Sequence, residues 1–178
     1  MLKECPIRQL QNENDLNYYV IIPAHNEEAF LSSTLESVVQ QSLQPMKVIV
    51  VNDNSTDQTE GIIDEFVTNH SIFKKLNTRS SIEHLPGSKV VNAFNKGLEL
   101  IDNKYDFIVK LDADLILPND YFEKIAAVLK NNPNVGLTGG FVYEENKYGR
   151  WELNHPMDKN HVRGAFKAYS KACFKAIG

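Results

Sequence analysis

The sequence has two cysteines in 178 residues, Cys5 and Cys173. So sparse a pair gives neither a disulfide framework nor zinc-ligand spacing, and a reducing cytosol is the expected setting. No apolar run approaches the roughly 20 residues of a membrane span. The opening "MLKECPIRQLQNENDLN" is polar where a secretory leader carries its apolar segment. Positive charge is not in excess either: 19 Lys and Arg against 23 Asp and Glu leave a net charge of -4. That balance argues against holding a nucleic-acid backbone. No two of the five histidines stand at i and i+4, so no zinc site is read. Three motifs are also missing. There is no G-x-G-x-x-G after the first strand, no G-x-x-x-x-G-K-[ST], and no G-x-S-x-G. Their absence speaks against a dinucleotide-binding unit, a P-loop NTPase and a hydrolase elbow.

What is present suits one globular domain. Hydrophobic residues make up 42% of the chain and charged residues 24%, a balance that supports a real core. A polar lead over 1–17 precedes a domain over 18–178. Short apolar runs alternate with helical periodicity. "YYVIIP" (18–23) is a first strand, stopped by Pro23, and "KVIVVN" (47–52) a second, apolar throughout and so buried on both faces. "IFKKLN" (72–77) is a weaker third and "DFIVKLD" (106–112) a fourth. Between them, Leu31, Leu35, Val38 and Val39 mark a helix to about Gln41. Ser55 and Gln58 have capping-box spacing before Ile62, Ile63, Phe66 and Val67. Val91, Phe94, Leu98 and Ile101 make the next stripe, and Phe122, Ile125, Ala126 and Leu129 the last. Strands alternating with helices predict a Rossmann-like α/β fold, mostly parallel, with helices on both faces. After residue 132 the rhythm changes to glycine-bearing, strand-like stretches.

In such sheets ligands bind beyond the carboxyl ends of the strands. Three polar clusters follow strands here: "PAHNEE", "NDNSTD" and "DAD". They are expected to converge on one crevice. In "YDFIVKLDADLILP" the period of two sends Asp112 and Asp114 to the same side. Like charges that close repel unless a positive group lies between them. Two hard oxygen donors suit Mg²⁺ or Mn²⁺, which keeps positions open for phosphate oxygens. A chance D-x-D at a solvated strand end is the plain alternative. Asp53, before a helix start, can accept hydrogen bonds from a base or ribose, although Asp is also what any such turn prefers.

With these clusters in order, the sequence resembles glycosyltransferase family 2, whose members have the GT-A fold. "VIIPAHNEEAFLSSTLESVVQQS" is similar to that family's opening strand, turn and helix, and "VIVVNDNSTDQT" to its V-x-D-D-x-S-x-D-x-T signature. "KVVNAFNKGLEL" matches its A-x-N-x-G helix through Ala93, Asn95 and Gly97, and "FIVKLDADLILP" its metal-binding strand end. The resemblance runs from about Tyr18 to the last residue. It implies transfer of a sugar from a nucleotide-diphosphate donor, commonly UDP-linked, to a saccharide or lipid-linked acceptor, with inversion and with Mn²⁺ or Mg²⁺. It also implies work in surface polysaccharide or glycolipid synthesis, in the cytoplasm or at the inner face of the membrane. Pro23, Ala24, His25 and Glu27 would line the nucleotide pocket, and Asp53 would bond the base. Lys89 would approach the diphosphate, Asp112 the ribose or a metal-bound water, and Asp114 the metal. Residues 18–118 would form the nucleotide-binding half and 119–178 part of the acceptor side.

Two departures stand out: Asn52 replaces the first Asp of the family's pair, and Asn54 a common Gly. The family's acidic general base is expected beyond Gly178, so the catalytic residue is unassigned and this stretch is expected to lack turnover. Glu144, Glu145 and Asp158 are weaker candidates within the chain. Gly139 and Gly140 suggest a close approach or a bulge. Trp151 with Tyr148 offers a sugar-stacking surface, with packing under a loop the favoured reading. His155, His161 and Arg163 fall on the expected acceptor side, Arg163 facing diphosphate or making a surface ion pair. A non-catalytic nucleotide-sugar-binding domain is the main alternative. A sugar nucleotidyltransferase is a weaker one, because "PAHNEE" lacks the glycine-rich basic loop of that class.

Overall fold

A computed structural model of the chain describes residues 16–79, 88–154 and 161–177. Its central sheet begins with β1 (Tyr18–Ala24), β2 (Lys47–Asp53), β3 (Phe73–Thr78) and β4 (Phe107–Leu111), joined by α1 (Leu31–Val39), α2 (Thr59–Asn69) and α3 (Ser88–Leu98). After α4 (Tyr121–Asn131) come β5 (Leu137–Thr138), a hairpin of β6 (Tyr143–Glu145) and β7 (Trp151–Leu153), then β8 (Phe166–Ser170) and α5 (Lys171–Ile177). The sheet order is β3-β2-β1-β4-β8-β5. The first four strands run parallel, while β8 pairs antiparallel with both β4 and β5. Each predicted strand forms within about a residue of its expected bounds. The first helix ends at Val39 rather than Gln41.

Continuous apolar runs became central strands because both faces of the sheet are covered. Alternate residues of β1 enter separate cores. Tyr18, Val20 and Ile22 pack with α1, α2 and α4, while Tyr19 and Ile21 pack with α3. Gly97 lets α3 lie close to the sheet: a Cβ there would meet Ile21 Cγ2 at 2.5 Å and Val51 Cγ2 at 3.2 Å. Val91 departs from the expected stripe, because Ala93, Phe94 and Gly97 face the sheet and Val91 faces outward. Among the described residues no helix is long and apolar enough to cross a membrane.

Chain connections run outward from β1 to β2 to β3 and then return to β4 on the other side of β1. The gap between β1 and β4 is thus a topological switch point, where loops diverge and leave a crevice at the carboxyl ends.

Candidate active site

That crevice is a cleft of about 290 Å³ lined by Pro23, Ala24, His25, Glu27, Asp53, Lys89, Val90, Ala93, Asp112, Ala113 and Asp114. All eight residues named from the sequence as nucleotide or metal contacts therefore open onto one cavity. They come from the ends of β1, β2 and β4 and the first turn of α3.

Two left-handed asparagines shape its first wall. Asn26 (φ 56°) and Asn54 (φ 55°) turn the chain sharply after β1 and β2, a conformation Asn tolerates better than most residues. The two turns are then stitched together. The Asn26 N–H donates to Ser55 Oγ (3.1 Å), and Thr56 N–H to Asn26 Oδ1 (2.8 Å). The Glu27 N–H donates to Thr59 Oγ1 (2.7 Å), and Gln58 N–H to Glu28 Oε2 (2.9 Å). His25 Nδ1 lies 2.7 Å from the Asp53 carbonyl, which can only accept, so that nitrogen carries the proton. The capping box expected from Ser55 does not form. Its hydroxyl serves Asn26, and Asp57 Oδ1 takes the Thr59 N–H at 3.0 Å instead.

Asn52 explains its own departure from the family pattern. It is buried, its Oδ1 accepts the Ser55 N–H (3.2 Å), and its Nδ2 donates to Asn77 Oδ1 (3.1 Å). Asn77 Nδ2 passes the chain on to Glu60 at 2.8 Å. A carboxylate at position 52 could not donate. Asp53, also buried, accepts from the Thr78 hydroxyl at 3.2 Å.

The opposite wall is the Asp112–Ala113–Asp114 turn, held by groups that sequence reasoning missed. Lys110 precedes Asp112 by two positions on β4 and so shares its side; its ammonium bonds Asp112 Oδ1 and donates to the Gly164 carbonyl at 2.8 Å. The Asp112 N–H donates to the Ala165 carbonyl at 2.7 Å. Thr34, buried on α1, donates its hydroxyl to the Ala113 carbonyl at 2.8 Å. Gln41 donates to the Pro118 carbonyl (2.7 Å) and accepts the Phe122 N–H (3.1 Å), fixing the path from the turn into α4. A one-in-two alternation flags Lys110, but nothing local flags Thr34 or Gln41.

Negative charge is crowded here. Burial, then Asp114, Asp112 and Asp57, push the Glu27 carboxyl above its usual range. Burial also raises the Asp112 carboxyl, with Lys110 opposing and Asp114 reinforcing. Among the described residues no three His, Cys, Asp or Glu side chains are grouped to enclose a metal by themselves. Two adjacent carboxylates in a negative cleft do fit a hard cation that draws its remaining oxygens from ligand and water.

The weaker candidates fall elsewhere. Glu144 and Glu145 lie on the exposed β6, outside the lining of the cleft. Asp158 and His155 lie outside the described residues. Gly139 is pressed against β8: a Cβ would meet the Phe166 carbonyl oxygen at 2.7 Å. Arg163 bonds the Asn154 carbonyl and side-chain oxygen, and among the described residues it forms no ion pair. His161 is exposed. Tyr148 and Trp151 are not packed under a loop; both stand in solvent.

An open α/β sheet with its strand-end carboxylates gathered at the switch point is an architecture of the GT-A type. Residues 19–176 match the model of glycosyl transferase family 2, and the chain belongs to that family. It is 31% identical over 144 residues to a poly-beta-1,6-N-acetyl-D-glucosamine synthase of Staphylococcus epidermidis, covering 78% of this chain and 33% of that protein. Its fold is similar to a mannosyltransferase of Pyrobaculum calidifontis solved with GDP-Man and Mn²⁺. There the TM-score is 0.70 at 18% identity, over 93% of this chain and 48% of that one. TarS of S. aureus, solved with UDP-GlcNAc, superposes with a TM-score of 0.53 at 23% identity, over 66% of this chain and 32% of that one. The chain spans about a third of the length of the first curated relatives it matches.

Proposed function

We propose that the cleft binds a nucleotide-diphosphate sugar, UDP-linked by preference, together with Mn²⁺ or Mg²⁺, and forms the donor half of an inverting sugar transfer to a saccharide or lipid-linked acceptor. The observation that carries this reading is the meeting of Asp53, Lys89, Asp112 and Asp114 around one cavity at the switch point. Asp53 and the β1 turn from Pro23 to Glu27 hold base and ribose. Their position is preset by the bonds between the two turns, so little order is lost when the nucleotide arrives. Lys89 meets the diphosphate from the first turn of α3. Asp114 is the direct cation ligand, while Asp112, drawn toward Lys110, faces the ribose or a water. A bound divalent cation supplies charge neutralisation for the departing diphosphate. Removal of the acceptor proton needs a general base, and none of the four cleft carboxylates is assigned that role. The chain's relatives include a polysaccharide synthase, which supports a place in surface polysaccharide assembly.

Calorimetric titration with UDP tests this. Mn²⁺ should tighten binding by about tenfold or more. Asp114→Ala should abolish that gain, and Asp53→Ala should weaken UDP binding even without metal. Equal UDP affinity in parent and both variants, with and without Mn²⁺, would sink the reading.

A further inference from the structure

Among the described residues, four exposed aromatics gather around one hairpin, with Phe30 before α1 standing apart: Phe141, Tyr143, Tyr148 and Trp151 are 53%, 55%, 74% and 63% exposed. The register of β6 against β7 pairs Tyr143 with Leu153, Glu144 with Glu152 and Glu145 with Trp151. Alternation then puts Tyr143, Glu145, Trp151 and Leu153 on one face and the Glu144–Glu152 pair on the other.

The two faces differ in kind. On the acidic face, the Asn154 amide donates to Glu144 and the Asn146 amide donates to Glu152 at 2.7 Å. Arg163 in turn holds Asn154 through its carbonyl (3.2 Å) and side-chain oxygen (2.8 Å). That face is occupied with holding the hairpin. The aromatic face stands outside the network, with Glu145 beside Trp151. The anchor also places the hairpin: the two residues after Arg163 are Gly164 and Ala165, whose carbonyls receive Lys110 and the Asp112 N–H. The fixed base of the hairpin is therefore two residues from the carboxylate wall of the cleft.

We infer that the aromatic face is a binding platform for a neutral oligosaccharide of gluco-configured pyranoses. Such rings carry axial C–H bonds above and below and equatorial hydroxyls around the rim. The first suit the flat faces of Trp151 and Tyr143, a diagonal step of roughly 7–8 Å apart, and the second suit Glu145. Charge separates this ligand from an anionic bilayer. The hairpin carries Glu144, Glu145 and Glu152 against Lys147 and Arg150, whereas anionic membranes recruit polybasic segments. Any role of this ligand as acceptor rests on the transfer reading above; its binding does not.

Trp151 is the chain's single tryptophan, so its fluorescence reports directly on the face. The 178-residue chain would be titrated with a β-linked glucose pentamer, with an N-acetylglucosamine pentamer, and with phosphatidylcholine vesicles with and without phosphatidylglycerol. The expected result is a saturable change with at least one pentamer. Tyr143→Ala should weaken it about tenfold, Glu145→Gln should weaken it less, and neither should alter UDP–Mn²⁺ binding. Both positions are exposed, so packing is spared. No response to either pentamer, a response to vesicles alone, or an unchanged affinity in Tyr143→Ala overturns the inference. Pentamer binding without any nucleotide binding would sink the transfer reading and leave the platform standing.

Discussion

Thr34→Val tests whether α1 holds the carboxylate turn in place. The hydroxyl of Thr34 is fully buried and lies 2.8 Å from the Ala113 carbonyl and 3.3 Å from the Phe30 carbonyl. Its single proton goes to the nearer acceptor. Valine keeps the shape and branching but cannot donate. Ala113 is 3% exposed, so water has little access to replace the bond. A buried acceptor left without a partner costs about 1–3 kcal/mol. In a domain of this size that corresponds to a fall in melting temperature of roughly 2–12 °C. Asp112 and Asp114 flank that carbonyl, so a turn that relaxes to find another donor shifts both. UDP affinity in the presence of Mn²⁺ should then fall by up to about tenfold for each 1.4 kcal/mol lost. Thermal unfolding and calorimetric titration read the two effects, and Thr34→Ser, which keeps the hydroxyl, should restore both. A Thr34→Val chain with the parent's melting temperature and the parent's Mn²⁺-dependent affinity would refute the reasoning.

Asn52→Asp restores the residue usual in the family but removes the donor to Asn77. The chain of amides from Ser55 to Glu60 breaks, and urea unfolding at neutral pH should show a loss of about 1–3 kcal/mol. Glu27→Gln should act in the opposite direction. The Glu27 carboxyl titrates above its ordinary 4.5 in the fold, chiefly through burial. The folded state thus binds more protons than the unfolded one just above that pH, and stability falls as pH rises through the range. The glutamine variant should be more stable than the parent at pH 7, with the gap narrowing below about pH 4; a constant gap across that range would contradict the assignment.

Much of the fold was legible because burial on both faces writes itself into composition. "YYVIIP" and "KVIVVN" have no polar face, so they could only be central strands, and each appears within a residue of its expected bounds. The failures share a cause. Val91 fits a helical stripe, yet the close approach at Gly97 rotates α3 so that Ala93 and Phe94 meet the sheet. Ser55 and Gln58 have the spacing of a cap, yet a second turn 29 residues away supplies the N–H that the hydroxyl accepts. Trp151 is apolar enough to suggest packing, but it lies on a two-stranded hairpin whose opposite face carries the anchoring bonds.

The order of strands and helices, and the three acidic or polar turns at the strand ends, were determined by the sequence alone, since periodicity and turn chemistry act over a few residues. Contacts between those turns were decided only by tertiary structure. Thr34 reaches Ala113 across 79 positions, and Lys110 comes to bridge Asp112 and Gly164. Such pairs depend on strand order and register, which no local pattern encodes. Of these contacts only Lys110 beside Asp112 lay within reach of a local pattern, because the pleat puts residues two apart on one side of the strand. The Gly164 carbonyl that Lys110 also holds lies 54 positions away.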